Sequence, residues 1–163
     1  MHRRILIDLL KDAYAMEARS LPALRRGASD RRQSLDARLR LESHFRETEQ
    51  HAERVRLALR ALGSAPDTLP LEAQPIGVLA QNVAARVFSD PLVTHVIGEL
   101  AAEHFEVAAY TAVIAAAEHA GESEVARLCR LNRGEDEDMA EWLDARIPFV
   151  IADTLERQPG PET

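Results

Sequence analysis

Glu103 and Glu106 stand three residues apart inside the mostly apolar, alanine-rich run from Leu92 to Ala117. On a helix that spacing puts both carboxylates on one face. The same face carries Leu92, His95, Glu99, Ala102, Tyr110, Val113 and Ala117, so the acids lie among residues that should be buried. A buried carboxylate without a partner is costly. A proton, a basic side chain or a metal cation can each compensate it, and the choice depends on what the neighbouring segments present.

Other acids repeat the pattern. Glu17 falls within the stripe Leu6, Leu9, Leu10, Ala13, Ser20, Leu24, and Glu135 within the stripe Leu128, Leu131, Met139, Trp142. Glu47 stands beside the seam Leu41, Phe45, Thr48, Ala52, Val55, Leu59, Leu62, in a polar stripe with His44 and His51 that either faces the core or forms the solvated flank. Thirty residues separate Glu17 from Glu47 and 29 separate Glu106 from Glu135. Two helical hairpins with these spacings bring the acids to similar heights in a bundle. A carboxylate-bridged dinuclear metal site needs such a cluster, because divalent ions offset the repulsion among carboxylates and take oxygen and imidazole ligands. Glu17, Glu106 and Glu135 are read as ligands, Glu103 as a ligand or its support, and Glu99 as a rim or interface residue. Tyr110, one turn beyond Glu106, is placed to hydrogen-bond a ligand carboxylate. His104 points about 160° away from Glu106 and is left out.

Helical periodicity dominates the whole chain, so the expected fold is all-α. A first helix spans Arg3 to Arg26, with Gly27 ending it and Pro22 kinking it or stopping it early. A second starts at an N-cap supplied by Ser29 or Asp30 and runs to Leu62, with Gly63 just past its end. Gly63 to Pro75 holds three of the eight prolines and reads as a connector. A short helix is expected from Ile76 to Phe88, then Asp90 as N-cap and Pro91 as first residue of the third long helix. From Gly63 to Asp90 the connection is 28 residues, enough to cross a bundle lengthwise and let the second and third long helices run parallel. The fourth long helix runs from Ser123 to about Arg157, with Pro148 bending or ending it. Gly134, beside Glu135, admits close packing, a distortion or a ligand. Residues 1–157 form one domain and 158–163 a flexible tail.

Composition narrows the function. A formal charge of −7 and a pI near 5.4 lack the basic footprint of a nucleic-acid binder, and 4% aromatic residues leave few platforms for stacking bases. The single cysteine, Cys129, forms no intramolecular disulfide and reads as a small core residue. Ile5-Leu6-Ile7 is too short for a signal peptide, and the glutamates of the Leu92–Ala117 run are expensive in lipid. A soluble, cytoplasmic protein is expected, without membrane or nucleic-acid partners.

The segments LLKDAYAMEARSL, HFRETEQHAERV, AAEHFEVAAYTAVIAAAEHAG and EDEDMAEWL resemble the four helices of the YciE/YciF family of bacterial ferritin-like proteins. The resemblance implies a ferritin-like, rubrerythrin-like four-helix bundle with a long crossover between its second and third helices, a link to stress responses, and a homodimer. By it Glu17, Glu47, Glu103, Glu106 and Glu135 match the metal-binding acids, and His44 stands three residues before Glu47, the reverse of the usual Glu-x-x-His order. Gln50 and Asp138 occupy the positions three after Glu47 and Glu135. His44 joins the five glutamates as a candidate metal ligand, and His51, Tyr110 and Asp138 are alternative ligands or supports of the ligands.

The expected function is a dinuclear centre of two divalent ions, iron or alternatively manganese, with oxidant or ferroxidase-type chemistry in a stress response. One cysteine cannot build a cysteine-ligated electron-transfer iron, so redox turnover calls on an external electron donor. The alternative is a non-catalytic stress or scaffold protein with a structural metal or none.

Overall fold

The computed structural model describes residues 2–67 and 75–157. Among the described residues five helices follow one another: α1 (His2–Ser29), α2 (Leu35–Ala61), α3 (Ile76–Ala84), α4 (Pro91–His119) and α5 (Ser123–Arg157). No strand occurs among the described residues. The four long helices form a ferritin-like bundle, and α3 lies within the crossover between α2 and α4. The expected tail, and the connector between 68 and 74, lie outside the described residues.

Side-chain pairs set the helix directions. Glu17 faces His51 and Gly27 faces Leu41, so α1 and α2 are antiparallel. Tyr110 meets Asn132 while Val93 and Val96 share a core cluster with Met139, Leu143 and Val150, so α4 and α5 are also antiparallel. His44 pairs with Glu103, and the His51 ring packs edge-on to Tyr110. Both members of each pair rise together in number, so α2 and α4 run parallel, as the 28-residue crossover from Gly63 to Asp90 permits.

The helix ends follow local chemistry. Asp90 accepts hydrogen bonds from the Leu92 and Val93 amides at 2.8 and 3.1 Å, and Pro91 opens α4 where its missing N–H costs nothing. Gly63 and Gly121 close α2 and α4 with φ of 70° and 75°, a region that disfavours a Cβ. Four expectations change, the first being that α1 continues through Gly27 to Ser29 and does not end at Arg26. The α2 N-cap is Ser34, whose hydroxyl accepts from the Ala37 amide; Ser29 instead belongs to α1 and bonds back to the Arg25 carbonyl, and Asp30 caps a turn with Arg32. Neither Pro22 nor Pro148 ends its helix, because burial of Leu24 and Gly27, and of Val150, holds the chain beyond each. The short α3 stops at Ala84 and not at Phe88.

Along the bundle the core has three layers. One apolar layer joins Leu6, Leu10, Val55, Leu59, Val113 and Cys129, among others. A second joins Leu41, Val93, Val96, Met139 and Leu143. Between them lies a buried polar layer of Glu17, Ser20, His44, Thr48, His51, Glu99, Glu103, Glu106, Asn132 and Asp136. The apolar layers keep water from either end, so the polar groups must satisfy one another or a ligand. By length and composition α4 would pass for a membrane span, with a mean hydropathy of 1.2 over its best window. Its buried Glu99, Glu103 and Glu106 show that it is the bundle's core helix.

Candidate metal centre

Helical spacing delivers the layer. In α2, His44, Thr48 and His51 recur at four and three residues, which turns them inward on the stripe that continues through Val55 and Ala58. In α4, Glu99, Glu103, Glu106 and Tyr110 recur at four, three and four. In α5 the buried stripe is Val125, Cys129, Asn132, Asp136, Met139 and Leu143, alternating four and three. α1 contributes Glu17 and Ser20.

Two sets of donor atoms converge. Glu17, His51 and Asp136 each offer one atom, all within 4.8 Å of one another, and so do Glu103, Glu106 and Asp136. Asp136 belongs to both, the position a bridging carboxylate takes between two ions. His51 Nδ1 lies 3.4 Å from both Glu17 Oε1 and Asp136 Oδ1. His44 Nε2 lies 3.0 Å from Glu103 Oε1, and the Ser20 hydroxyl donates to Glu106 Oε1 at 3.2 Å. The Tyr110 hydroxyl donates to Glu17 Oε1 at 2.5 Å.

Each histidine is backed by a carboxylate and an arginine. His51 Nε2 is 2.7 Å from Glu135 Oε2, and Glu135 is gripped by Arg54 through both carboxylate oxygens. His44 Nδ1 is 3.2 Å from Glu47 Oε2, which Arg40 holds at 3.0 Å. Such backing fixes which ring nitrogen faces inward and strengthens it as a donor. The partners hold both outer acids at about 2: for Glu47 the His44 hydrogen bond leads, with Arg40 adding, and for Glu135 burial opposes but His51 and Arg54 prevail.

The inner groups go the other way. Burial pushes the Asp136 carboxyl up to about 8, with His51 opposing and Glu17 and Glu103 adding to the rise. Burial, then the charges of Glu17, Glu103 and Asp136, raise Glu106 well above the usual carboxylate range. Burial resists a charge on His44, yet Glu103 and Glu47 lift it to about 10; Glu135 and Glu17 likewise outweigh burial and lift His51 to about 9. The layer therefore holds more carboxyl groups than its own imidazoles can neutralise, and Asp136 and Glu106 keep their protons unless a cation replaces them.

Unsatisfied atoms test whether a cation fits. Glu17 Oε2, Glu103 Oε2, both oxygens of Asp136 and His51 Nδ1 are buried without a hydrogen-bond partner, although the His51 nitrogen sits within ion-pair range of two carboxylates. Native interiors contain few such atoms, and here five gather in one layer. Oxygen and imidazole donors without thiolate suit iron or manganese.

Of the sequence candidates, Glu17, Glu103 and Glu106 come together at the centre, with Tyr110 hydrogen-bonded to it. His51 is fully buried within the first group, and His44 is buried against Glu103. Glu47 and Glu135 stand outside both groups, partly exposed behind the histidines, and Asp138 is exposed. Asp136 is the residue the sequence reading missed. Leu128 and Leu131 drew the α5 stripe about 100° away from the buried one. The alternating four-and-three run from Val125 through Asn132 to Leu143 was the signal that points to it. Gly134 faces open space, so it serves no close approach.

Comparison with known proteins agrees with the fold and with the family resemblance. The profile of the family described as Domain of unknown function (DUF892) matches residues 1–156. A crystal structure of a protein from Xanthomonas campestris pv. campestris is 32% identical, with a TM-score of 0.81 over 96% of this chain and 98% of that one. YcfI from Rhodopseudomonas palustris, described as a candidate structural protein, is 25% identical with a TM-score of 0.73, over 88% of this chain and 93% of its own. The Escherichia coli stress protein YciF shares the fold at 18% identity and a TM-score of 0.74, over 93% of this chain and 98% of its own.

Proposed function

The chain belongs to the DUF892 family, and we propose that its polar layer is a carboxylate-bridged centre for two divalent cations, iron or manganese. Five buried donor atoms without hydrogen-bond partners, on residues that converge in two groups sharing Asp136, carry this reading. Glu17, His51 and Asp136 would hold one ion, and Glu103, Glu106 and Asp136 the other. A redox-active pair bound there would pass electrons to dioxygen or peroxide in a stress response, the electrons coming from an external donor or, in ferroxidase-type turnover, from ferrous iron taken up as substrate. The protein's own groups exclude water with the two apolar layers, orient Glu17 through Tyr110 and Glu106 through Ser20, and hold the histidines through Glu135 and Glu47. The expected setting is a cytoplasmic homodimer with an external electron donor and neither nucleic-acid nor membrane partners.

Reconstitution with Mn(II) or Fe(II), elemental analysis and anomalous scattering test the centre. Two ions flanking Asp136 are expected, and Asp136→Asn or Glu106→Gln should lower metal content at least tenfold. No bound ion in the wild type, or one far from Asp136, sinks the proposal. A second reading draws on the pairing of His44 with Glu103 and of His51 with Glu17 and Asp136, which offsets part of the buried charge with protons alone. On that reading the protein is a non-catalytic stress or scaffold bundle with a structural metal or none, and added Mn(II) either raises its stability without redox turnover or leaves it unchanged.

A further inference from the structure

Arg54 lies three residues beyond His51 on α2 and starts two hydrogen-bonded arms that end on the same half of the centre. In the first, Arg54 donates to both oxygens of Glu135, at 2.5 and 3.0 Å, and Glu135 Oε2 is 2.7 Å from His51 Nε2. A proton on Nε2 leaves Nδ1 facing Glu17 and Asp136, and Nδ1 is the atom without a hydrogen-bond partner. In the second arm, Arg54 Nη1 donates to Asn132 Oδ1 at 2.9 Å. Asn132 Nδ2 then donates to the Tyr110 hydroxyl at 2.8 Å, and that hydroxyl donates to Glu17 Oε1 at 2.5 Å. Every donor in this chain points the same way, from the guanidinium to the carboxylate, and such aligned bonds polarise one another.

The other half has its own anchor. Arg40, fourteen residues before Arg54 on the same helix, holds Glu47 at 3.0 Å. Glu47 lies 3.2 Å from His44 Nδ1, whose Nε2 reaches Glu103 at 3.0 Å. Among the described residues no hydrogen bond of the Arg40 relay reaches Glu17 or His51, and none of the Arg54 arms reaches Glu103 or Glu106. Both arginines keep an edge toward solvent, with 22% and 18% of their side chains exposed.

We infer that Arg54 and Arg40 are positioning residues that each set the affinity of one cation position and leave the other intact: Arg54 acts on the Glu17–His51–Asp136 position, and Arg40 on the Glu103–Glu106–Asp136 position. The inference rests on the dinuclear reading. A general stabilising role for either arginine would weaken both positions together, whereas separate relays weaken them one at a time.

Mn(II) titration calorimetry on the full chain, followed by anomalous diffraction at the manganese edge, separates these outcomes. Arg54→Met should weaken one of two binding events by about 10-fold, the lower end of the range found when direct partners of metal ligands are removed, because Arg54 acts through Glu135 and Asn132. The ion that remains should lie between Glu103, Glu106 and Asp136. Arg40→Met should give the complementary result, and in Arg54→Ala and Arg40→Ala, which vacate the side-chain space, millimolar guanidinium should restore the lost event. Arg54→Lys and Arg40→Lys keep the charge but not the two-pronged grip, so they should give the same selective loss in smaller measure, with thermal melts confirming that each variant is folded. Equal weakening of both events in either variant, or wild-type affinities at both, overturns the inference while leaving the dinuclear centre standing. A wild type that takes up no Mn(II) overturns both.

Discussion

Tyr110 shows how much a single group in the polar layer carries. Its hydroxyl receives from Asn132 and donates to Glu17, and its ring packs within the apolar layer beneath. Burial and the neighbouring Glu17 push the phenol well above its usual range, so it stays protonated and keeps donating. Tyr110→Phe keeps the ring but takes from the buried Glu17 Oε1 its hydrogen-bond donor and leaves Asn132 Nδ2 only the His51 carbonyl at 3.3 Å. An unsatisfied buried polar group costs about 1–3 kcal/mol, so urea denaturation of the metal-free variant should show a loss of that order. An unchanged urea midpoint would mean that water replaces the hydroxyl. Glu47 and Glu135, read from the sequence as candidate ligands, each meet an arginine and an imidazole at the edge of the core and hold that imidazole in place.

At the scale of elements, the crossover helix α3 depends on one residue of α4. A Cβ placed on Gly98 would lie 2.9 Å from the Gln81 backbone, so α3 can pack this closely only on glycine. That contact lets Gln81 donate to the buried Glu99 at 2.7 Å. Gly98→Ala must push α3 outward and break this bond, an overpacking cost of about 1–3 kcal/mol. Hydrogen exchange should speed up across Ile76–Ala84 while the amides of α1 and α5 keep their protection. Uniform acceleration would show that α3 is a cooperative part of the bundle and not a docked lid. The pairing of helices was legible beforehand, since Asp90-Pro91, Gly63 and Gly121 mark ends by local chemistry alone. The start of α2 was not, because Ser29, Asp30 and Ser34 are equally good caps until tertiary burial of Gly27 draws α1 onward.

Across the whole molecule the buried layer makes stability depend on pH. His44 rises from 6.5 to about 10, His51 from 6.5 to about 9 and Asp136 from 3.8 to about 8. The folded chain thus holds protons that the unfolded chain releases, and stability falls with rising pH wherever this is so. The histidine contribution is whole below about pH 6.5 and lost as pH passes through about 9–10; that of Asp136 fades from about pH 4 to 8. Glu47 and Glu135, held at about 2, act oppositely and are lost only as pH falls below 4.5. Thermal melts in a chelator should therefore show a midpoint that drops between about pH 6 and 9, and Mn(II) should flatten the drop by replacing the protons. A midpoint that climbs over this range in chelator would contradict the assigned shifts.

The sequence by itself determined the helices, the long crossover and the inward acids of α1 and α4, since helical period, caps and chain length are local properties that one chain displays directly. It also carried the family resemblance. Only the tertiary structure decided that His44 and His51 face inward, that Asp136 and not Glu135 enters the core, and that two arginines stand behind the histidines. The physical reason is angular. Neighbouring residues on a helix differ by about 100°, and an amphipathic stripe leaves that margin open until the packing of another helix chooses which edge of it is buried.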